Sequence, residues 1–191
     1  MFGAPQIIAV LILLQRVLEE AYAAHNTKRL LDEGAREVGR AYYPVVAVTQ
    51  MCWIAGLFLL ISPSAPVYWP LLAVYLALQA ARYWTVAALG RYWTLRIITL
   101  DDAPIVRHGP YGTLRHPFYV ITLIETALLP LALGAWAYAA LMTAIWAAVL
   151  HYAILLEDRA LAERRAAARP GGEPKRADAS GGVGAEDQNR V

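Results

Sequence analysis

The chain has 191 residues, of which 59% are hydrophobic, and a formal net charge of +2 at pH 7. The length suggests a single domain, and the hydrophobic share exceeds the roughly 45–50% that is usual in soluble proteins. The small net charge argues against nucleic acid as a partner, and a single cysteine excludes an intramolecular disulfide and a metal site built from several cysteines; we predict no metal site.

Five apolar stretches predict the architecture. A bilayer core needs about 20 mostly apolar residues per helix, and the stretches at 43–61, 66–89, 118–133 and 136–156 meet this length. A fifth stretch at 4–18 is shorter and includes Arg16, whose long side chain can snorkel to the interface. We therefore predict an all-α integral membrane protein with about five transmembrane helices. The last two are separated by only two residues and should form a C-terminal helical hairpin.

The distribution of Lys and Arg predicts the orientation. These residues are concentrated at 19–41, at 90–117 and in the C-terminal segment, whereas the connections at 62–65 and 134–135 contain none. With five spans, the positive-inside rule places the charged segments in the cytoplasm and the N-terminus outside the cell inner membrane. Near the C-terminus the composition turns to Pro, Gly, Ala and charged residues, which is typical of disorder. We predict a transmembrane domain over residues 1–165 and a disordered cytoplasmic tail over 166–191.

Two polar groups are candidates for the functional site. Residues 101–119, between the third and fourth predicted helices, contain two histidines, three prolines and two glycines, which restrict the backbone. The second group, His151, Glu157 and Asp158, lies at the end of the fifth helix. Composition alone also fits an interpretation without function. Residues 101–119 would then be a basic turn at the membrane interface, and Glu157 and Asp158 would mark the end of the membrane-spanning part of the helix. Because both groups belong on the same predicted membrane face, a pocket can also form between them.

Motifs in these two groups resemble the signatures of an enzyme family. His-Gly-Pro-Tyr at 108–111 and Arg-His-Pro-Phe-Tyr at 115–119 resemble the HGxY…RHPxY signature of the isoprenylcysteine carboxyl methyltransferase family. Leu-Glu-Asp-Arg-Ala-Leu at 156–161 resembles its second signature, an acidic pair followed by leucine. Runs within 16–44 and 79–94 are similar to a bacterial branch of the family. Some members of that branch O-methylate long-chain alkylpyrones or alkylresorcinols.

The resemblance implies a transmembrane methyltransferase that uses S-adenosylmethionine and acts on a lipophilic small molecule or membrane lipid. A carboxylate and aromatic faces suit the sulfonium and ammonium groups of this cofactor. Arg115 would act in catalysis, near the cofactor carboxylate or the acceptor. The cytoplasmic cofactor pocket would be formed by Ile105, Val106, His108, Gly109, Tyr111, His116, Pro117, Tyr119 and Glu157.

The methyl acceptor stays open between an enol or phenol and a carboxylate. The family's last helix usually carries an arginine four residues before the acid, and Ala153 stands there in this chain. Loss of that carboxylate clamp favours an alkylpyrone-type or alkylresorcinol-type acceptor over a prenylcysteine-like carboxylate. The branch pattern also favours histidines where Tyr42 and Gln50 stand. A phenol titrates near pH 10 and needs a base or a cation; His151 is a candidate base, and a hydrogen-bonded histidine within the bundle is an equal alternative.

Arg82 and Glu125 lie inside predicted membrane helices, where a charge is costly and seldom lacks a partner. We expect that they pair with each other, or that one of them faces a substrate tunnel. Three other functions fit the sequence. They are a sterol-reductase-type enzyme with a nicotinamide cofactor, a methyltransferase for another acceptor such as a phospholipid amine, and a non-enzymatic membrane subunit. No oligomeric state is predicted.

Overall fold

The computed structural model describes residues 2–100, 103 and 106–167. Within them the chain forms a bundle of long helices connected by short turns and one small strand pair. Residues 168–191 of the predicted tail lie outside the described residues. The five α-helices are α1 (Ala4–Asp32), α2 (Tyr42–Leu59), α3 (Trp69–Leu89), α4 (Pro117–Ala132) and α5 (Trp136–Ala167).

Helix α1 is longer than predicted, because the segment expected to be a loop from residue 19 is helical as far as Asp32. This segment is rich in Glu, Ala, Leu, Lys and Arg, which are good helix formers. The helix ends at Asp32, and Gly34 two residues later has a φ of 94°. There the Ala35 amide donates to the Leu30 carbonyl at 3.0 Å, as in a Schellman motif. The polar C-terminal half of α1 contributes side chains to the functional site described below.

A two-stranded antiparallel ribbon modifies the predicted all-α class. Strand β1 (Arg36–Val38) pairs with β2 (Ile97–Thr99), with Glu37 opposite Ile98. Three-residue strands are too short to show an alternating hydrophobic pattern, so the sequence gives no sign of them. The ribbon ties the α1–α2 connection to the α3–α4 connection and holds both at one end of the bundle.

Three helical segments are long and apolar enough to cross a membrane: Tyr42–Leu59, which is α2; Trp69–Tyr92, which is α3 with the 3-10 turn after it; and Trp136–Ala160, within α5. Helix α4 has 16 residues, a length of about 24 Å at 1.5 Å per residue. Helix α1 has three charged residues near its middle. The structure thus agrees with an all-α membrane protein, whereas the count of five spans remains a prediction for α1 and α4.

The predicted helical hairpin between α4 and α5 is confirmed. Gly134 adopts a φ of 71° and the Ala135 amide donates to the Pro130 carbonyl at 2.8 Å, which reverses the chain within three residues. An apolar core fills the space between the five helices, with Tyr75 contributed by α3. Its largest fully buried members include Trp53, Leu57 and Leu129. This core fixes the relative positions of the helices, and the two polar groups lie at one end of the bundle they form.

Candidate functional site

The loop that carries the first motif folds back onto helix α3. Gly109 begins a short 3-10 turn, Gly109–Gly112, with a φ of 59°. A Cβ added at Gly109 would lie 3.4 Å from atoms of Trp84 and Ala88, so the loop backbone packs closely on α3. A glycine suits this position for both reasons. The turn directs the chain toward the start of α4.

Three side chains of the two motifs meet at this end of the bundle. His116 Nδ1 lies 3.0 Å from Glu157 Oε2, and the Tyr119 hydroxyl donates to Glu157 Oε1 at 2.5 Å. The His116 and Tyr119 rings stack, with centroids 5.5 Å apart. His116 Nε2 is buried and has no hydrogen-bond partner among the described residues. The structure therefore joins the motif before α4 to the acidic pair on α5.

These residues line a cavity of about 570 Å³, which we call the polar cavity. Its volume is within the range of small-molecule sites. Burial and the nearby Glu157 carboxylate raise the pKa of Tyr111, so its phenol keeps its proton and can donate a hydrogen bond at neutral pH. The predicted site residues in its wall are Val106, Tyr111, Arg115, His116, Tyr119 and Glu157.

Arg115 lies at the rim of the polar cavity. Its guanidinium is 2.6 Å from the Asp158 carboxylate, and both side chains are substantially exposed. Asp158 thus orients the arginine. Because water reaches both side chains, the attraction between the two charges is weakened by screening. The rim can attract an anionic group of a ligand.

Other predicted residues are placed elsewhere. His108 is exposed at the start of the turn, and Pro117 is buried as the first residue of α4. His151 is exposed on α5 and lines neither the polar cavity nor the chamber described next, so the structure does not bring the predicted base to the site. Ile105 lies outside the described residues.

A second, mostly apolar cavity of about 290 Å³ lies between α1, α2, α4 and α5, and we call it the membrane chamber. Thr94, Phe118 and Tyr119 line both cavities and form the wall between them. Val17 on α1 and Met51 on α2 line the chamber and are largely exposed, so its mouth faces the outside of the bundle. The sequence allows a substrate tunnel beside Arg82 or Glu125, and Arg82 does line this chamber, but the other lining residues were not predicted; Gln50, a polar residue within an apolar helix, is a signal for them.

A buried ion cluster lies beside the membrane chamber and joins α1, α3 and α4. Arg82 contacts Glu19 at 2.7 Å and Glu125 at 3.1 Å, and Arg16 contacts the same two carboxylates at 2.8 and 2.9 Å. The expected pairing of Arg82 with Glu125 is therefore present. Arg16 does not snorkel as predicted, because its partners lie inside the bundle. Arg82 lines the chamber, whereas Glu125 is 1% exposed and lines neither cavity.

Comparisons with known proteins identify related sequences. The sequence model of the isoprenylcysteine carboxyl methyltransferase family matches residues 71–163, which include both motifs. The chain is 33% identical over 161 residues to the uncharacterized protein YpbQ of Bacillus subtilis (strain 168), an alignment that covers 82% of this chain and 95% of the relative. No solved structure matches it.

A helical membrane bundle with a polar cavity at one end and a side chamber defines a membrane protein with a small-molecule site. The chain belongs to the isoprenylcysteine carboxyl methyltransferase family. It is accordingly a membrane methyltransferase.

Proposed function

We propose that the protein uses S-adenosylmethionine to O-methylate a lipophilic acceptor that enters from the bilayer. The observation that carries this proposal is the position of Tyr119. Its ring forms part of the wall between the polar cavity and the membrane chamber, and its hydroxyl bonds Glu157. A water-soluble cofactor in the polar cavity and a membrane-soluble acceptor in the membrane chamber can therefore both reach Tyr119, from opposite sides.

The residues of the polar cavity fit this cofactor, which methyltransferases of the family generally use. When bound, S-adenosylmethionine supplies a methyl carbon on a sulfonium sulfur that becomes a neutral thioether as the acceptor oxygen takes the methyl group. Glu157 offers a carboxylate to the cationic part, and Tyr111 and Tyr119 offer aromatic faces. Arg115 at the rim would hold the cofactor carboxylate.

The acceptor proposed is an enol or phenol of the alkylpyrone or alkylresorcinol type. Ala153 is fully buried where the family's arginine would stand, so that clamp for a carboxylate is missing. The apolar chamber suits a long alkyl tail. Because His151 lines neither cavity, we propose that an acidic enol, which ionises without a dedicated base, is favoured over a phenol. A prenylcysteine-like carboxylate remains the runner-up acceptor.

The proposed orientation places the polar cavity and the C-terminus on the cytoplasmic side of the cell inner membrane, with the N-terminus outside. It rests on the distribution of Lys and Arg. In this orientation the cofactor reaches the polar cavity from the cytoplasm.

Calorimetric titration of the purified protein with S-adenosylmethionine, S-adenosylhomocysteine and NADPH tests the proposal. We expect a micromolar dissociation constant for the first, or about −8 kcal/mol, and no binding of NADPH. Glu157→Gln and His116→Ala should weaken cofactor binding roughly 10- to 100-fold, since hydrogen bonds to charged groups contribute about 1.5–3 kcal/mol.

Glu33→Gln is the matched control, because this exposed carboxylate pairs with Arg91 and lines neither cavity. Its binding should equal that of the wild type. Binding of NADPH in place of S-adenosylmethionine would support the reductase alternative instead. Mass spectrometry of lipids incubated with a labelled methyl donor separates O-methylated products from methylated phospholipid amines.

A further inference from the structure

Another cavity, which we call the interfacial cavity, lies beside the C-terminal half of α1. It has a volume of about 280 Å³, and the start of α2 and the segment before β2 complete its wall. It shares no described lining residue with the polar cavity. It adjoins the membrane chamber at four shared residues, Glu20, Tyr43, Leu95 and Arg96. Neither the two motifs nor the proposed function accounts for this cavity.

The interfacial cavity lies at the depth of the phospholipid headgroups. Tyr43, in its wall, is the second residue of Tyr42–Leu59, a segment that is long and apolar enough to cross a membrane. With α1 as the first span, a bilayer core of about 30 Å takes up roughly 20 residues from Ala4. Thr27, also in the wall, lies about 6 Å beyond that point, within a headgroup layer that is roughly 5–8 Å thick.

The charged side chains of the lining form a balanced set of two cations and two carboxylates. The cations are Lys28 and Arg96, and the carboxylates are Glu20 and Asp32. Lys28 and Asp32 are exposed, lie one helical turn apart, and make no hydrogen bond or ion pair with the described residues. A ligand that matches this set carries both a negative and a positive group.

The other two charged residues of the lining are held in place by their neighbours. The Arg96 guanidinium lies 4.2 Å from the centroid of the Tyr43 ring, and its Nη1 donates to Glu37 at 3.2 Å. The Arg96 side chain is still 39% exposed, so further donors of its guanidinium can reach a ligand. The Tyr43 hydroxyl donates to Glu20 Oε1 at 2.5 Å, which leaves Oε2 as an acceptor. Side chains that are already ordered lose little entropy when a ligand binds.

We infer that the interfacial cavity binds a zwitterionic phospholipid with a primary ammonium group, as in phosphatidylethanolamine. Lys28 and Arg96 bind its phosphate, and Glu20 and Asp32 accept hydrogen bonds from its ammonium group. A choline group fits less well, because it has no N–H to donate. Tyr43, the only ring among the described lining residues, already has Arg96 over one face, so no aromatic cage for choline is present there. An anionic lipid without an ammonium group would face the two carboxylates unpaired.

The acyl chains of this lipid would lie along α1 on the bilayer side. Ala24 and Leu31 are exposed apolar residues of the cavity wall. Val17, two turns before Ala24 on the same helix face, is exposed at the mouth of the membrane chamber. Because the headgroup site and the polar cavity share no described lining residue, this lipid is a bound neighbour of the reaction site and not the methyl acceptor. The site is thus independent of which acceptor is methylated.

Native mass spectrometry of the full-length protein in detergent tests this lipid site. The protein is titrated, without a methyl donor, with phosphatidylethanolamine, phosphatidylcholine and phosphatidylglycerol of identical acyl chains, and the dissociation constant of each lipid is compared. We expect phosphatidylethanolamine to bind roughly 3- to 10-fold more tightly than either of the others, as one hydrogen bond at a partly exposed site allows.

Variants of the two unpartnered residues should change this preference in different ways. Asp32→Asn should reduce the preference for phosphatidylethanolamine to about 2-fold or less, and it should strengthen binding of phosphatidylglycerol, because a repelling carboxylate is removed. Lys28→Gln should weaken all three lipids, because each carries a phosphate. Neither residue has a described partner to lose, so both variants should fold normally.

Glu33→Gln and Arg29→Gln are the matched controls. Each removes the neighbouring charge of the same sign on α1, and neither residue lines the interfacial cavity. Both should bind the three lipids as the wild type does. Glycerophosphoethanolamine, which has the same polar group without acyl chains, should not displace the lipid at equal concentration.

Equal affinity of the wild type for phosphatidylethanolamine and phosphatidylcholine, or tightest binding of phosphatidylglycerol, would overturn the inference. So would a loss of preference in Glu33→Gln as large as in Asp32→Asn. Displacement by glycerophosphoethanolamine would show that the cavity takes a soluble compound and not a membrane lipid. A protein with the lipid preference that fails to bind S-adenosylmethionine would contradict the proposed function alone.

Discussion

Tyr119 connects the motif at the start of α4 with Glu157 on α5. Its hydroxyl donates to Glu157 and its ring stacks on His116, so it holds a carboxylate and an imidazole in fixed positions. Tyr119→Phe keeps the ring and deletes only the hydroxyl. We expect methyl transfer, measured as kcat/KM with a labelled donor, to fall roughly 10- to 100-fold, since a hydrogen bond to a charged group is lost.

Tyr152→Phe is the control for this substitution, because Tyr152 is half-exposed on α5 and lines neither cavity. It should leave kcat/KM unchanged. Wild-type kcat/KM in Tyr119→Phe would show that the ring alone is needed and that Glu157 is positioned by other contacts.

At the residue scale, the sequence indicates His116 and Glu157 because each lies in a motif with recognisable spacing. It does not indicate the environment of Arg16. That side chain is placed by Glu125, which lies 109 positions away in the chain and comes close only after α1 and α4 pack. The same holds for Trp146, which in sequence is one apolar residue among many on α5. Its indole nitrogen is buried and has no hydrogen-bond partner among the described residues, which only the folded structure reveals.

At the scale of helices, α2 and α5 pack where a glycine meets a tyrosine. A Cβ added at Gly56 would lie 2.2 Å from the Tyr138 hydroxyl, which donates to the Trp53 carbonyl at 2.7 Å. Alanine is the better helix former by about 1 kcal/mol. We nevertheless expect Gly56→Ala to destabilise the protein by about 1–3 kcal/mol, because the added methyl group forces these helices apart.

Thermal unfolding in detergent measures this effect. Ala55→Leu adds more volume at the adjacent exposed position and should change stability by no more than about 0.5 kcal/mol. A Gly56→Ala protein that is as stable as the wild type would mean that Tyr138 moves aside freely.

The positions of the helices could largely be predicted from sequence, and their ends could not. Apolar stretches reveal α2 to α5, because a membrane helix must be apolar over most of its length. The extension of α1 to Asp32 depends on tertiary partners. Asn26, for example, donates to the Trp93 carbonyl at 2.9 Å across to the chain segment after α3. The β1–β2 ribbon likewise forms only where the α1–α2 and α3–α4 connections meet in space. Three-residue strands are too short for a hydrophobic pattern that would predict them from sequence.

At the scale of the whole molecule, the buried ion cluster joins three helices beside the membrane chamber. It contains two arginines and two glutamates, so its formal charge is balanced. Removing one member leaves a net charge in the bundle, which typically costs about 3–5 kcal/mol for a broken buried pair. Removing Arg82 and Glu125 together leaves Arg16 and Glu19 as a balanced pair at 2.8 Å.

We therefore expect a strongly non-additive double-mutant cycle. Arg82→Ala and Glu125→Ala should each destabilise the protein, and the double variant should be no less stable than the worse single variant. The coupling free energy, from thermal unfolding in nanodiscs, should reach at least the loss of the milder single variant, about 3 kcal/mol. The exposed pair of Arg91 and Glu33 provides the matched cycle, with an expected coupling below about 1 kcal/mol. Strictly additive losses at Arg82 and Glu125 would count against a direct interaction between these two side chains.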